Sequence, residues 1–316
     1  MYIGALDIGG TKTIVGIIDQ NGSILCKYQF ATNTYNWQQH FLSCCTVLRQ
    51  CIDSIGISCD DLYGIGINMP GMVNSKEGIL LKAVYKGWEN IDVKSFFRCE
   101  TGIDHIVIEN DVNACAIGEL LFGYKDAYKN FIWMTVSTGI GGAVVSEGRL
   151  IRGGWNCAGE FGHLKVEYEH PALCPCGQSG CLEAHASGTA ITRYTKEAIR
   201  EDPLFEEAFS FHKQPMDAIG CSVLAKQGNH KAVEIYEKAA IWLGRGISYC
   251  VNVLNPEAVI IGGGVASSLD LMTDVIKLTT EKNVHTTLSG FDIKVTRLGY
   301  EAALLGAAAL VILNSK

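Results

Sequence analysis

Apolar positions along this chain form short runs that stop at glycine and longer stretches with helical spacing. Ile3-Gly4-Ala5-Leu6 leads into Asp7-Ile8-Gly9-Gly10-Thr11-Lys12, and the β-branched run Thr13-Ile14-Val15-Gly16-Ile17-Ile18 follows. That order predicts strand, polar turn, strand over residues 2–18. Phe41, Cys45, Leu48 and Ile52 recur at three- and four-residue intervals, which predicts a helix over 36–57. Gly64-Ile65-Gly66-Ile67 reads as a buried strand ending in the turn Asn68-Met69-Pro70-Gly71. A further strand, His105 to Glu109, runs into Asn110-Asp111 and a helix from Val112 to Phe122.

At Phe131 the opening pattern returns. Phe131-Ile132-Trp133-Met134-Thr135-Val136 predicts a strand, Ser137-Thr138-Gly139-Ile140-Gly141-Gly142 a turn, and Ala143-Val144-Val145 the return strand. Residues 188–250 read as mainly helical, with 231–253 the best-defined helix. The strand Ala258-Val259-Ile260-Ile261 then ends in Gly262-Gly263-Gly264, and an Ala- and Leu-rich helix spans 301–313. Two strand–turn–strand units in separate halves imply two related α/β lobes, each offering one glycine loop to a shared cleft. The expected lobes are 1–110 and 111–298, with a C-terminal helix in 299–316 returning to the first.

Composition narrows the class. The 316 residues are 48% hydrophobic and 19% charged, which suits sizeable buried cores. A net charge of −7 leaves no basic footprint for nucleic acid, so an anionic nucleotide needs local donors. No run approaches the roughly 20 apolar residues of a membrane span, and the N-terminus lacks the pattern of a signal peptide. A soluble, cytoplasmic protein is expected, with no membrane partner. The 13 cysteines are odd in number. Cys26, Cys115, Cys221 and Cys250 sit singly in apolar surroundings and read as small buried hydrophobes rather than disulfide partners.

Three clusters carry candidate chemistry. The loops at Asp7–Lys12 and Thr138–Gly142 supply glycines and hydroxyls, with the Lys12 ammonium in the first, and glycine lets backbone N–H groups approach a phosphate closely. Either loop alone reads equally as a tight β-hairpin, and neither is a P-loop or dinucleotide fingerprint, because strands rather than helices follow them. Asp7 and Asp111 stand at carboxyl ends of strands. Phosphoryl transfer to an alcohol needs a base near the hydroxyl and a cation on the phosphates. Asp111 suits the base or, as a plain alternative, a helix N-cap; Asp7 suits a water-mediated Mg2+ contact. The third cluster is His163 with Cys174, Cys176 and Cys181, a Cys₃His set for tetrahedral Zn2+. Four protein ligands make such a site structural.

Asp7-Ile8-Gly9-Gly10-Thr11-Lys12, Glu109-Asn110-Asp111, Thr138-Gly139-Ile140-Gly141-Gly142, Gly159-Glu160-Phe161-Gly162-His163 and Cys174-Pro175-Cys176-Gly177-Gln178-Ser179-Gly180-Cys181-Leu182-Glu183 stand in an order that resembles the ROK (repressor, open reading frame, kinase) family. The resemblance runs from residue 2 to about 310. It implies an α/β actin-like ATPase (ribonuclease H-like) fold with two lobes around a central cleft, and ATP-dependent sugar phosphorylation. It implies Asp111 as base for a sugar 6-hydroxyl, with Asn110, Glu160, His163, Glu183 and the backbone at Gly71 along the sugar. Gly9, Gly10, Thr11, Lys12, Thr138 and Gly139 would surround the phosphates, and Gly262, Gly263 and Gly264 would border the adenosine. His163, Cys174, Cys176 and Cys181 would bind zinc. Ser137 departs from the glycine or other small residue found in many relatives.

Sugar-responsive repressors of the family carry a winged helix-turn-helix before the first loop. Here that loop begins at Asp7, which argues for a kinase, expected as a homodimer. Glucose is the first-choice substrate, ahead of N-acetylmannosamine and N-acetylglucosamine; a non-catalytic sugar-binding regulator is the remote alternative.

Overall fold

The computed structural model describes residues 1–314. In chain order the first stretch holds β1 (Tyr2–Ile8), β2 (Lys12–Asp19), β3 (Ile24–Ala31), α1 (Trp37–Ile55), β4 (Leu62–Met69), β5 (Gly71–Asn74), β6 (Ile79–Ala83), β7 (Glu89–Asp92), α2 (Val93–Thr101), β8 (Ile106–Asn110) and α3 (Asp111–Gly118). Then come β9 (Phe131–Val136), β10 (Ile140–Ser146), β11 (Arg149–Ile151), α4 (Leu182–Ala186), α5 (Gly188–Glu201), α6 (Pro203–Phe211), α7 (Ala218–Lys226) and α8 (His230–Leu254). The last elements are β12 (Ala258–Gly262), α9 (Thr273–Asn283), β13 (Asp292–Val295) and α10 (Ala302–Leu313). No helix among the described residues is long and apolar enough to cross a membrane.

Local chemistry sets the helix ends. The Asn36 side chain accepts from the Gln39 amide at the start of α1, and Gly56 closes the helix in the left-handed conformation. Asn229 and left-handed Asn255 bound α8 in the same way. Strand β4 continues through Asn68 and Met69, so the expected turn shrinks to Pro70. The second glycine turn is also shorter than expected, because β10 starts at Ile140. The helix expected to reach Phe122 stops at Gly118 and widens into a π-helical turn, Glu119–Gly123. There the buried Glu119 carboxylate accepts from the Thr296 hydroxyl at 2.7 Å and the Arg297 amide at 3.1 Å. Strand β3 and the small β5-β6-β7 sheet add to what the apolar runs suggested. Cys221 and Cys250 are buried, whereas Cys26 and Cys115 are only half-buried.

The described chain divides into two compact units. The first comprises Met1–Lys129, Val144–Ala158 and the chain from Thr296 onward; the second comprises Asn130–Ala143 and Gly159–Val295. The boundary therefore falls after Lys129 rather than near residue 110. The reason is packing: Ala114 and Ile117 of α3 bury against Ala309 and Leu310 of α10, with Leu150 of β11 beside them. Ser315 and Lys316, the end of the expected 299–316 segment, lie outside the described residues.

In the first unit the sheet order is β3-β2-β1-β4-β8. β1 runs antiparallel to β2 and parallel to β4, and β8 extends the parallel side. Alternation divides its side chains between two faces. Leu6, Ile8, Val15 and Ile17 meet Phe41 and Leu48 of α1, whereas Ile3, Ala5, Ile14 and Ile18 meet Leu304, Ala308 and Val311 of α10. The other five-stranded sheet reads β11-β10-β9-β12-β13, with β12 parallel to both β9 and β13. In both sheets the strand before the glycine loop is central, its hairpin partner lies to one side and a parallel strand to the other. In the second unit Ile132, Met134, Val259 and Ile261 pack with Ile191 of α5 and Leu243 and Ile247 of α8.

The approach of α10 to β4 leaves no room for a side chain at Gly66, where a Cβ would land on the Ala307 carbonyl oxygen. Gly66→Ala is expected to destabilise the protein by about 1–3 kcal/mol through overpacking, read as a lower thermal midpoint. Gly10→Ala, where a methyl meets nothing within 4 Å, serves as the control and should keep the parental midpoint.

Candidate active site

In the first unit, β1 delivers Asp7 to a turn whose Gly10, Thr11 and Lys12 are exposed. The Gly9 amide donates to the Lys12 carbonyl at 3.0 Å, and Thr32 Oγ1 donates to the Gly9 carbonyl at 2.8 Å. Thr13 Oγ1 lies 2.9 Å from both Thr32 Oγ1 and His40 Nε2. The turn is thus tethered from behind while its tip faces solvent, an arrangement able to receive an anion.

Strand β8 delivers Glu109, Asn110 and Asp111. Asn110 is the N-cap of α3: its Oδ1 accepts from the amides of Val112 at 2.9 Å and Asn113 at 3.2 Å. Its Nδ2 donates to the Gly71 carbonyl at 3.1 Å. Asp111 therefore does not serve as the cap, and the plain N-cap reading of this residue falls away. Glu109, whose side chain is 1% exposed, accepts from Arg152 Nε at 2.7 Å. Its other oxygen accepts from the Asn110 amide at 3.0 Å and from Asn113 Nδ2 at 3.1 Å. Gly71 has φ +126°, and a Cβ there would strike the backbone of Lys82 and Ala83, so only glycine fits. The first unit brings together Asp7, Asn110, Asp111 and Gly71 with the Gly9–Lys12 turn.

In the second unit the loop Ser137–Gly139 is closed by a Ser137 amide bond to the Gly139 carbonyl at 2.9 Å. Helix α5 holds it: the Gly188 amide donates to the Ser137 carbonyl at 2.7 Å, and Thr189 Oγ1 to the Thr138 carbonyl at 2.7 Å. Glu183 Oε2 accepts from the Ile140 amide at 2.9 Å. Gly262 ends β12, and Gly263, at φ +91°, lies against the Val136 carbonyl, with Gly264 beside Ser137. Gly263 and Gly264 therefore lie beside Val136 and Ser137, the residues that lead into the Thr138–Gly139 turn. Glu160 is exposed, and His163 closes a 3-10 turn, Phe161–His163.

The metal-ligating atoms of His163, Cys174, Cys176 and Cys181 all lie within 4.8 Å of one another. Cys176 and Cys181 sulfurs are 3.8 Å apart, and Cys174 Sγ is 3.8 Å from His163 Nδ1. Zinc–sulfur bonds of about 2.3 Å in a tetrahedron place sulfurs about 3.8 Å apart, so this donor set fits zinc. The Gln178 N–H holds the exposed Cys176 thiol below its ordinary range, which favours the thiolate a metal needs. His163 Nε2 is 3.7 Å from Glu160 Oε2, leaving that nitrogen as the outward N–H when Nδ1 binds metal.

The ROK family model matches residues 3–313 of this chain. The chain belongs to the ROK family. It is 31% identical over 313 residues to a glucokinase of Halalkalibacterium halodurans, covering 98% of this chain and 94% of that protein. A glucokinase of Streptomyces coelicolor is 32% identical over 321 residues, 96% of each chain. Among solved structures, a ROK family glucokinase from Streptomyces griseus in complex with glucose and AMPPNP has TM-score 0.81 at 30% identity, covering 98% of this chain and 99% of that one.

Sequence reasoning on this ROK chain missed Arg152, which pairs with Glu109. Arg152 is 43 residues from Glu109, and no local spacing announces the pair. A carboxylate at the end of an otherwise apolar strand was the available hint at Glu109.

The two aspartates share one electrostatic environment. Burial, then the Asp111 charge, raises Asp7 from 3.8 to about 7, with Lys12 opposing and Glu301 adding to the rise. Burial also raises Asp111, partly offset by the Val112 amide. A raised carboxyl pKa means that the folded state holds a proton the unfolded chain has lost. The associated stability is full below pH 3.8 and is lost as pH rises through about 7. Asp7→Asn in the ROK protein, without nucleotide or divalent cation, is therefore expected to gain roughly 1–3 kcal/mol over the parent near pH 8. The gain should vanish toward pH 4 in urea unfolding.

Proposed function

We propose that the chain is an ATP-dependent hexose kinase that phosphorylates the 6-hydroxyl of glucose, with Asp111 as its base. The observation that carries this reading is the carboxylate of Asp111: half-buried, raised in pKa and placed just inside a helix whose cap is Asn110. A base with a raised pKa is a better proton acceptor for an alcohol. The glucose and AMPPNP of the Streptomyces griseus relative support the same sugar and nucleotide here.

In the reaction, the sugar 6-oxygen bonds to the γ-phosphorus as the bond from that phosphorus to the β-bridging oxygen breaks. The 6-hydroxyl proton passes to Asp111, and ADP leaves. Asn110 keeps one Nδ2 hydrogen beyond the Gly71 bond for a ring hydroxyl, and Glu160 and the His163 Nε2–H offer an acceptor and a donor. In the first unit the amides of Gly9, Gly10 and Thr11 and the Lys12 ammonium suit phosphate; in the second unit the Thr138–Gly139 turn suits phosphate and Gly262–Gly264 suit the adenosine. Asp7, an oxygen ligand beside the exposed turn, suits a water-mediated contact to Mg2+, which when bound neutralises charge on the phosphates. His163, Cys174, Cys176 and Cys181 would hold Zn2+ in a closed four-ligand site, a structural role. Glu183, two residues beyond Cys181, carries that order to the Ile140 amide.

Two measurements check this reading. Asp111→Asn should keep glucose affinity in calorimetry while kcat falls about 10²–10⁴-fold; retention of the parental rate within a few-fold refutes Asp111 as base. Cys176→Ser should lower zinc content in metal analysis. Because Glu183 ties the segment to the glycine loop, Michaelis constants should rise for both glucose and ATP. Unchanged constants in a zinc-free variant refute the coupling.

A further inference from the structure

His40 lies on α1 with 1% of its surface exposed, among the rings of Phe30, Phe41 and Trp88. Both of its ring nitrogens are engaged. The Asn33 amide, which can only donate, reaches Nδ1 at 3.3 Å, so that nitrogen carries no proton. Burial lowers the imidazole from 6.5 to about 4, and the neutral ring therefore holds its one proton on Nε2. That N–H faces Thr13 Oγ1 at 2.9 Å, with the Cys44 sulfur a weaker contact at 3.8 Å.

The other end of this hydrogen-bond chain is fixed as firmly. The Gly9 carbonyl can only accept, so the Thr32 hydroxyl directs its proton there at 2.8 Å. Thr13 Oγ1 and Thr32 Oγ1 are 2.9 Å apart, and with the Thr32 proton committed, Thr13 is the donor between them. Donation therefore runs one way: Asn33 amide to His40, His40 to Thr13, Thr13 to Thr32, Thr32 to Gly9. The Gly9–Gly10 peptide at its end has no Cβ on either side, so local sterics set its orientation only weakly. In a planar trans peptide the carbonyl and the next N–H point opposite ways. Holding the Gly9 carbonyl inward turns the Gly10 N–H outward, at the exposed tip of the turn.

We propose that His40 is a positioning residue for the nucleotide: through Thr13 and Thr32 it holds the Gly9–Gly10 peptide with its N–H toward the ATP phosphates. The inference rests on the kinase reading above, in which this turn takes phosphate. A pair of hydroxyls can donate in either direction. When the imidazole gives Thr13 no hydrogen bond, the Thr13 oxygen becomes an acceptor for Thr32, and the Thr32 proton leaves the Gly9 carbonyl. The released peptide, flanked by two glycines, is then free to turn its carbonyl outward, where the partial negative charge opposes a phosphate. The imidazole proton thus selects the anion-attracting face of the turn over the anion-repelling one. Its effect is confined to the nucleotide, since Asn110 and Gly71 are held by other bonds.

The test separates the two ring nitrogens. Glutamine places an N–H near the Nε2 position, whereas the shorter asparagine places its amide near Nδ1 and does not reach Thr13. In the full chain, His40→Asn should raise the KM for ATP about three- to tenfold, the worth of one hydrogen bond. The KM for the hexose turned over fastest should stay at the parental value. His40→Gln should keep the parental KM for ATP. Both variants lose the same aromatic packing, so a merely structural role lowers both melting midpoints and moves both ATP constants alike. Thr32→Val cuts the chain at its half-buried end without touching the His40 packing, and it should raise the KM for ATP by a similar factor. Adding His40→Asn to Thr32→Val should raise it no further, because the chain is already cut. Equal ATP constants in His40→Asn and His40→Gln, an unchanged constant in Thr32→Val, or an additive double variant overturns the inference. If the parent transfers no phosphate from ATP to any hexose, the kinase reading fails and this inference with it. If the parent is active and its ATP constant ignores these substitutions, the hydrogen-bond chain alone fails.

Discussion

The Glu109 carboxylate is almost wholly enclosed, and three donors converge on it: Arg152 Nε, the Asn110 amide and the Asn113 side chain. A buried carboxylate persists as an ion only when paired and hydrogen-bonded, and removing one partner of such a pair typically costs about 3–5 kcal/mol. The same three bonds fix the end of β8 and the start of α3. Asn110 is thereby held where its Oδ1 caps the helix and its Nδ2 holds Gly71. With capping assigned to Asn110, Asp111 takes the first position of the helix, where its Oδ1 accepts from the Val112 amide. The placement of Asn110 and Asp111 depends on this ion pair, whose members are separated by 43 positions.

The second unit reaches a comparable end by a different route. Its glycine turn is not held by a buried ion pair but by short bonds from α5 and by Glu183, next to the cysteine segment. A Cβ at Gly139 would strike the Glu183 carboxylate, and one at Gly142 would strike Phe161. The glycines of this loop thus allow close packing against the segment bearing Glu160, His163 and the cysteines.

The two five-stranded sheets share one arrangement, with the strand before the glycine loop at the centre. A central strand is paired on both sides, so its carboxyl end is the best-anchored point from which to present a turn. Asp7 and Ser137 both stand at or just beyond such an end. In the first unit the close seat of α10 on β4 at Gly66 adds rigidity from one face, and α1 packs the other.

The sequence alone determined the α/β character of an actin-like ATPase fold, the recurrence of the strand–turn–strand unit and membership of the ROK family. These rest on local spacing: period-two apolar runs, glycine turns and motif order. It also named the four zinc-ligand candidates, because three cysteines within eight positions constrain one another locally. Tertiary structure decided what local spacing does not encode. It moved the unit boundary to Lys129, since α3 packs on a helix nearly two hundred residues later. Asn110 rather than Asp111 emerged as the cap, its side chain held by Gly71 of β5 and its amide by the neighbouring Glu109, which Arg152 anchors from far along the chain. Tyr85, an unremarkable loop residue in sequence, is distinctive only because burial against Trp88 leaves its hydroxyl without a partner among the described residues. Hydrogen-bond satisfaction and desolvation are properties of the assembled surroundings, and the order of residues along a chain does not contain them.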